Sequence, residues 1–202
     1  MHGRASFGHV QSRTSDVDDA ERQRILDEAL AELIETKTVD DFTLEGVAAR
    51  AGVEAVVVKQ FWANTPALFT ATLLAWGDRN IPIPDTGTLR ADLTQYSRSY
   101  AAATNSPTGL QLLNRVVISP KVWDSYGSLP VFRTARPARM SVMVQRAIER
   151  GECADDVDPD MVVELLASAL CMPILFYGQP ITDEFCAQVV DLFLDGIVRR
   201  GQ

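Results

Sequence analysis

Apolar residues in this chain recur at steps of three and four positions, and no stretch alternates between apolar and polar residues. Ile25, Ala29, Leu33 and their neighbours form one such stripe, which is typical of a helix with a single buried face. The one strongly β-branched run, 56–58, lies within a short segment of helical pattern. Half-buried strands need period-two alternation, so the sequence predicts an all-α fold.

Composition limits what this fold can do. The chain has 202 residues, of which 47% are hydrophobic and 23% charged, as in a globular protein with a core. Its formal net charge of −8 excludes a uniformly basic surface, so any DNA contact must come from a local patch. The three cysteines show no paired spacing, which favours a reducing compartment. The only histidines are His2 and His9, so we expect no histidine-based metal site, no cofactor and no catalytic triad.

Two segments bear on localisation. Residues 1–19 are polar, mixed in charge and aperiodic, which predicts a flexible arm and not a signal peptide. The longest uncharged apolar stretch, 165–177, is shorter than the roughly 20 residues of a membrane span and contains Pro173. It is predicted to be a buried core helix. The chain is therefore expected to be soluble and cytoplasmic, with no membrane partner.

Prolines, glycines and capping residues divide the remainder into about nine helices. After a first helix from residue 20, the predicted helices are 44–51, about 54–62, one capped by Asn64, 88–104, 108–118, 128–150, 159–177 and 182–199. The sequence predicts a flexible arm at 1–19, a small three-helix domain at 20–66 and a larger helical domain at 67–202.

The two short helices on either side of Gly52 have the arrangement of a helix-turn-helix. Small residues at 48 and 51 would let the helices approach closely, while Gly52 permits the tight turn. The second helix could then enter a DNA major groove, which is about 12 Å wide. An ordinary helical hairpin is the alternative interpretation.

Several segments of the sequence resemble one family. They are Arg24–Leu30, the run Thr43-Leu-Glu-Gly-Val-Ala-Ala-Arg-Ala-Gly-Val53, the aromatic pair Phe61-Trp62 and Ala67-Leu-Phe69. Together they resemble the N-terminal domain of TetR-type transcriptional regulators, and residues 146–159 resemble the family's C-terminal half more loosely. The resemblance implies a homodimer with one DNA-reading head per subunit and a helical body that holds an effector pocket.

The second short helix departs from the family pattern. The family usually has Ser, Lys, Ala or Thr at the start of this helix, whereas this chain begins it with Glu54, which is a poorer cap than serine. Lys59 replaces the usual phosphate-contacting tyrosine, and Thr65 replaces the usual lysine. A glutamine such as Gln60 can pair with an adenine edge. The predicted DNA-binding residues are Lys37, Thr43, Arg50, Glu54, Ala55, Val56, Val57, Lys59, Gln60 and Thr65.

Charge in this small domain is unfavourable for DNA. Residues 20–75 contain five positive and nine negative side chains, a net charge of −4. Phosphate contacts dominate affinity for DNA, so weak or arm-dependent binding is expected. Arg4 and Arg13 of the predicted arm could add charge, although a tail without a role is an alternative.

Bulky apolar and aromatic side chains in the larger domain are candidates for an effector pocket. They also suit a plain core, which is the alternative for each of them. Because no buried charged cluster stands out, a small hydrophobic or aromatic effector is expected. The predicted ligand-binding residues are Trp76, Tyr96, Tyr100, Leu113, Val117, Trp123, Met140, Met143 and Phe176.

The last two helices have apolar stripes that are too wide for one buried face. Such helices could form an isologous four-helix dimer interface, where the family resemblance also places it, or they could be internal to a monomer. The predicted interface residues are Leu166, Leu170, Phe185, Val189, Phe193 and Ile197.

Three function classes follow. The first is a ligand-responsive regulator, expected to be a repressor, which binds palindromic operator DNA as a homodimer. The second is a ligand-binding module of the same fold that has weak or no DNA binding, which Glu54 and the acidic head favour. An enzyme is not expected, because the sequence has no phosphate-binding loop, nucleophile motif or metal-spaced cysteines.

Overall fold

The computed structural model describes residues 8–117 and 129–195, and these contain nine α-helices and no strand. The predicted all-α fold is confirmed. In chain order the helices are α1 (Gly8–Glu35), α2 (Leu44–Ala51), α3 (Ala55–Phe61), α4 (Thr65–Asn80), α5 (Leu89–Asn105), α6 (Pro107–Leu112), α7 (Leu129–Glu149), α8 (Pro159–Tyr177) and α9 (Asp183–Asp195). A 3₁₀ turn (Val39–Asp41) precedes α2, and a π-helical turn (Leu113–Val117) follows α6.

The start of α1 differs from the sequence prediction. The helix begins at Gly8, so residues 8–19 are helical where a flexible arm was expected. Residues 9–35 include neither proline nor glycine, so no residue there interrupts the backbone hydrogen bonds of a helix. The polar composition of this segment gave no apolar stripe from which a helix could be predicted.

The chain forms two compact units, Met1–Ala75 and Trp76–Gln202. The division lies within α4, whereas the sequence placed it near the start of that helix. In the first unit, Ile25, Ala29 and Leu33 of α1 are fully buried, as their spacing predicts. Phe42 packs edge-to-face on Phe69 of α4, with ring centroids 5.8 Å apart. This core holds the short helices α2 and α3 in place.

The second unit has a core built from α5, α7, α8 and α9. The completely buried side chains of this core include Leu93 from α5, Met143 from α7, and Val163 and Leu170 from α8. Polar contacts hold α5 against its neighbours: Arg90 pairs with both Asp191 and Asp195 of α9. At the other end of α5, the Asn105 side chain exchanges two hydrogen bonds with the backbone of Ile181.

Helix α8 is not the wholly buried helix that the sequence predicts. Among the described residues, it is the one helix that is long and apolar enough to cross a membrane. Val163, Leu166 and Leu170 pack into the core of the second unit, while Met161, Leu165 and Phe176 are exposed. The helix therefore has an inward face that is covered and an outward face that is apolar and uncovered.

Candidate nucleic-acid interface and effector site

The turn between α2 and α3 is built as the sequence predicts. The Thr43 hydroxyl accepts a hydrogen bond from the Gly46 amide and caps α2. Gly52 ends that helix at φ +66°, a left-handed conformation that side chains with a Cβ rarely adopt. Ala48 and Ala51 are buried, and α2 packs against both α1 and α3. These contacts fix the direction of α3.

Helix α3 has one buried side and one exposed side. Val58 is completely buried, and Ala55 and Val57 are partly covered. Val56 is 56% exposed, and Lys59 and Gln60 are exposed as well. These three exposed side chains are of types that contact DNA. An apolar group can contact a thymine methyl, a cation can contact a phosphate or a guanine, and an amide can pair with an adenine.

The first turn of α3 lacks a side-chain cap. Glu54 occupies the capping position in an extended conformation, but its carboxylate accepts no capping hydrogen bond. The backbone amides at this end therefore lack the partner that serine, threonine or aspartate would supply. This agrees with the expectation that Glu54 caps the helix poorly.

Lys59 forms an ion pair within the first unit, Met1–Ala75, which is called the head below. Its ammonium nitrogen lies 3.3 Å from a carboxylate oxygen of Glu45 on α2, and both side chains are at least half exposed. The pKa of Glu45 is lowered by its own backbone amide and by this hydrogen bond from Lys59. Exposed ion pairs of this kind are weak, so Lys59 can exchange Glu45 for another anion at little cost.

Arg50 is held more firmly by α1. Its guanidinium makes two hydrogen bonds to Glu35, at 2.6 and 2.9 Å, and a third to Glu28 at 3.0 Å. Glu32 lies 3.8 Å away. These bonds raise the pKa of Arg50 and lower that of Glu35. The contacts join α2 to α1 and occupy most of the donors that a phosphate contact would use.

The last two predicted DNA-binding residues lie outside α2 and α3. Lys37 is exposed after the end of α1, and Thr65 is partly buried at the start of α4. Sequence reasoning did not single out Arg22, whose guanidinium lies 5.9 Å from the centre of the Trp62 ring. Arg22 lies on α1 and Trp62 directly follows α3, 40 positions further along the chain, so no local spacing could have revealed this contact.

Four of the predicted ligand-binding residues meet in the core of the second unit. The rings of Tyr96 and Tyr100 stack with centroids 6.5 Å apart, and the Tyr96 hydroxyl donates to the sulfur of Met140 at 3.1 Å. Met143 belongs to the same core. The Tyr100 hydroxyl lies 2.7 Å from Sγ of Cys171 on α8. Two phenols with sulfur partners thus lie side by side within an apolar core.

The remaining predicted ligand-binding residues lie elsewhere. Trp76 packs against the same core from α4, while Leu113 and Val117 belong to the π-helical turn. Phe176 is 70% exposed on α8, and Trp123 lies outside the described residues. One residue that the sequence did not indicate is Arg115 in the π-helical turn. Its Nη1 is buried and has no hydrogen-bond partner within the described part of the chain.

Most of the predicted interface residues are part of the protomer's own core or pack against it. Leu166 and Leu170 are completely buried and Val189 is nearly so, while Phe185 and Phe193 pack against that core. Ile197 lies outside the described residues. On the same two helices, the exposed apolar side chains are different ones: Met161, Leu165, Met172, Phe176, Tyr177 and Leu192.

The family described as "Tetracyclin repressor-like, C-terminal domain" matches residues 83–193, which is more than half of the chain. This segment includes α5 to α8 and most of α9. It therefore contains the contacts of Tyr96 and Tyr100 with Met140 and Cys171, and the exposed apolar side chains of α8. The chain belongs to the TetR family of transcriptional regulators. The predicted family is thereby confirmed.

Named relatives in this TetR family are similar over most of the chain. The DNA-binding transcriptional repressor TetR of Mycobacteroides abscessus is 30% identical over 168 residues, which cover 80% of this chain and 86% of the relative. The HTH-type transcriptional regulator AqdR of Rhodococcus erythropolis is 29% identical over 175 residues, covering 87% and 84%. The solved TetR family transcription regulator SCO0332 has the same fold, with a TM-score of 0.71 at 24% identity over 89% of this chain and 99% of that chain.

These similarities define the class of protein. The TetR-family chain is a transcriptional regulator, and because regulators of this family are non-enzymatic, the prediction that it is not an enzyme is confirmed. Among the described residues, no group of histidine, cysteine or carboxylate side chains is arranged to hold a metal ion.

Proposed function

We propose that this regulator is a ligand-responsive repressor that binds palindromic operator DNA as a homodimer and is released by a small, mostly apolar effector. The observation that carries the proposal is the exposed side of α3, where Val56, Lys59 and Gln60 project from a helix anchored by buried Val58. A relative named as a DNA-binding transcriptional repressor supports repression as the direction of control. The cytoplasm, on the nucleoid, is the corresponding location.

Each exposed group on α3 has a proposed role. Gln60 reads an adenine edge, Val56 contacts a thymine methyl, and Lys59 contacts a phosphate or a guanine. Ala55 and Val57, which are partly covered, lie close to the groove wall. Glu54 is the unfavourable member, because its carboxylate would lie near phosphates.

The flanking residues position the head on the DNA backbone. Lys37 supplies a cation, and the Thr65 hydroxyl can donate to a phosphate. The Thr43 hydroxyl accepts from the Gly46 amide, which leaves its own proton available to a phosphate oxygen. Arg50 would need to give up part of its pairing with Glu28 and Glu35 to make the same contact.

The homodimer is proposed to form through the outward face of α8 and α9. Met161, Leu165, Met172 and Phe176 follow one another along α8 at helical spacing, and Leu192 is exposed on α9. A symmetric pairing of two such helices from each subunit would cover these side chains in a four-helix interface. The inward residues Leu166, Leu170 and Val189 would then support the interface from behind.

A second candidate is a ligand-binding protein of the same fold with weak DNA binding. It is favoured by the pairing of Arg50, Lys59 and Arg24 with carboxylates of the head, and by the uncapped start of α3. If it is correct, the double substitution Glu54→Ser and Ala55→Lys should create DNA affinity that the wild type lacks. Nanomolar binding by the wild type would exclude it.

Footprinting on the DNA upstream of the chain's own gene tests the proposed function. A dimeric repressor should protect two half-sites whose centres are separated by about 34–36 Å, or one helical turn. The Gln60→Ala variant should lose protection at low protein concentration, while Gln95→Ala, at an exposed position on α5 of the second unit, should not. An unprotected upstream region at low ionic strength would contradict the proposal.

A further inference from the structure

The Tyr100 hydroxyl has an unusual set of neighbours for a partly buried phenol. Its oxygen lies 2.7 Å from the thiol of Cys171, and the buried Thr104 hydroxyl also donates toward it. Burial, together with the nearby Cys171 thiol, holds the pKa of Tyr100 well above its usual value, so the phenol keeps its proton. The phenol and the thiol of Cys171 are hydrogen-bonded to each other, and either of them can be the donor.

A thiol is a weak hydrogen-bond donor and a weak acceptor compared with oxygen groups. Buried phenols normally find an oxygen or nitrogen partner, because leaving a strong donor poorly satisfied in an apolar interior costs free energy. An oxygen acceptor that reached this place would therefore compete well for the Tyr100 proton. The aromatic ring of Tyr96 and the thioether of Met140 would provide an apolar, polarisable wall beside it.

We propose that Tyr100 and Cys171 form the effector-sensing contact of the body, and that the effector is a neutral apolar molecule carrying a carbonyl-type acceptor oxygen. The proposal rests on the proposed function and specifies the chemistry of its effector. Binding replaces the hydrogen bond between the Tyr100 hydroxyl and the Cys171 sulfur with a hydrogen bond from the Tyr100 hydroxyl to the effector's oxygen. No covalent bond forms or breaks.

Neutrality follows from the charges around this contact. Tyr96, Tyr100, Thr104, Met140 and Cys171 include no cation that could balance a carboxylate. Burial also raises the pKa of the Cys171 thiol, so these surroundings disfavour negative charge. A carboxylate at this place would find no counter-ion among these five side chains, and its desolvation would cost more than the phenol hydrogen bond returns.

The position of Cys171 on α8 gives the contact a route to the proposed dimer face. Pro173, two residues further on, has no amide proton, so α8 lacks one backbone hydrogen bond at this place and yields more easily here. Met172, the residue between them, is exposed on the outward face. When the hydrogen bond between Tyr100 and Cys171 is lost, the inward side of α8 at Cys171 is no longer held by α5. The outward side of the same turn, at Met172, belongs to the proposed dimer face.

Three compounds with the same two rings separate the chemistries: benzophenone, diphenylmethane and diphenylacetate. Calorimetric titration of the full chain should show benzophenone bound about three- to tenfold more tightly than diphenylmethane, the value of one neutral hydrogen bond. Tyr100→Phe should abolish this preference. Tyr177→Phe, which removes an exposed phenol from α8, the helix that carries Cys171, should retain it.

Substitutions of Cys171 distinguish sensing from simple packing. Cys171→Ala removes the competing hydrogen-bond partner and should increase the affinity for benzophenone, whereas Cys171→Ser supplies a stronger partner and should decrease it. The proposal is overturned if Tyr100→Phe keeps the preference, if diphenylacetate binds more tightly than benzophenone, or if none of the three binds. Operator binding measured in the same samples without any compound reports separately on the proposed function.

Discussion

At the scale of single residues, Lys59 is the side chain on which the proposed DNA contact depends most. Its pairing with Glu45 is exposed and therefore easily exchanged for a phosphate. We expect Lys59→Ala to weaken operator binding and to reduce the slope of log affinity against log salt by about 1, the change for one lost phosphate contact. Fluorescence anisotropy over a series of salt concentrations measures both quantities.

Glu45 provides the matched control for that prediction. Glu45→Gln should strengthen binding in the wild-type background, because it releases Lys59, and should have a smaller effect when Lys59 is already alanine. Equal effects of Glu45→Gln in the two backgrounds would show that Glu45 acts only through its general charge and does not compete with DNA for Lys59.

Arg50 is expected to contribute mainly to the stability of the head. The Glu35 carboxyl has a folded pKa below its unfolded value because Arg50 donates hydrogen bonds to it. A lowered carboxyl pKa stabilises the fold above the unfolded pKa, near 4.3, and this contribution disappears as pH falls through the folded pKa. The Tm difference between wild type and Arg50→Gln should thus be full at neutral pH and vanish in acid.

Lys37→Gln is the control, because Lys37 is an exposed cation that forms no ion pair within the part of the head that the structure describes. It should leave Tm unchanged at every pH. A pH-independent loss of Tm in Arg50→Gln would mean that Arg50 acts through packing of its aliphatic stem and not through Glu35.

At the scale of helices, the close approach of α6 to α5 depends on Gly109. A Cβ added at this position would lie 2.1 Å from the carbonyl oxygen of Ala103 and 2.8 Å from Cα of Thr104, both of them backbone atoms. Gly109→Ala must therefore displace a helix, and we expect it to lower the free energy of unfolding by about 1–3 kcal/mol. Denaturant titration of the full chain measures this loss.

The same substitution at Gly46 is a suitable comparison. There the nearest atom is an oxygen at the end of the flexible Glu32 side chain, 2.9 Å away, which can move aside. Gly46→Ala should cost much less than Gly109→Ala. Equal stability of the two variants would show that α6 does not pack against α5 as closely as described.

Helix boundaries set by local chemistry could be predicted from the sequence. Thr43 begins α2, Gly52 ends it, and Asp158 with Pro159 begins α8, because capping hydrogen bonds and backbone restrictions act over a few residues. The side of each helix that faces the core could be predicted only in part. On α8 the apolar pattern covers nearly the whole circumference, so it could not tell inward Leu166 from outward Leu165.

Contacts between distant residues could not be predicted. The sequence selected Tyr96, Tyr100 and Met140 by residue type, but nothing in their spacing reveals that sulfur atoms are the partners of both phenols. Arg50 was selected as a cation, and only the packing of α2 on α1 brings three carboxylates to it. The sequence shows the chemical type of each of these side chains, whereas its hydrogen-bond and ion-pair partners depend on the folded chain.

At the scale of the whole molecule, the outward face of α8 should hold two subunits together. Leu165 is 52% exposed, so replacing it with glutamate should do little to an isolated protomer but should place charge in a dimer interface. We expect Leu165→Glu to shift the mass measured by light scattering from dimer to monomer and to weaken operator binding.

Leu110→Glu is the matched control, because Leu110 is an exposed leucine on α6, away from α8 and α9 in sequence. It should leave the mass unchanged. A wild-type protein that is monomeric at micromolar concentration, or a Leu165→Glu variant that stays dimeric, would show that this face is not the interface.

The most direct test of the DNA-reading head is the affinity of the wild-type protein for its upstream DNA at increasing salt, with a scrambled duplex of the same composition as comparison. The exposed side of α3 predicts a complex that is tighter on the upstream DNA and weakens as salt rises, since phosphate contacts release counter-ions. Equal affinity for both duplexes, or no binding at low ionic strength, would contradict the assignment of α3 as a recognition helix.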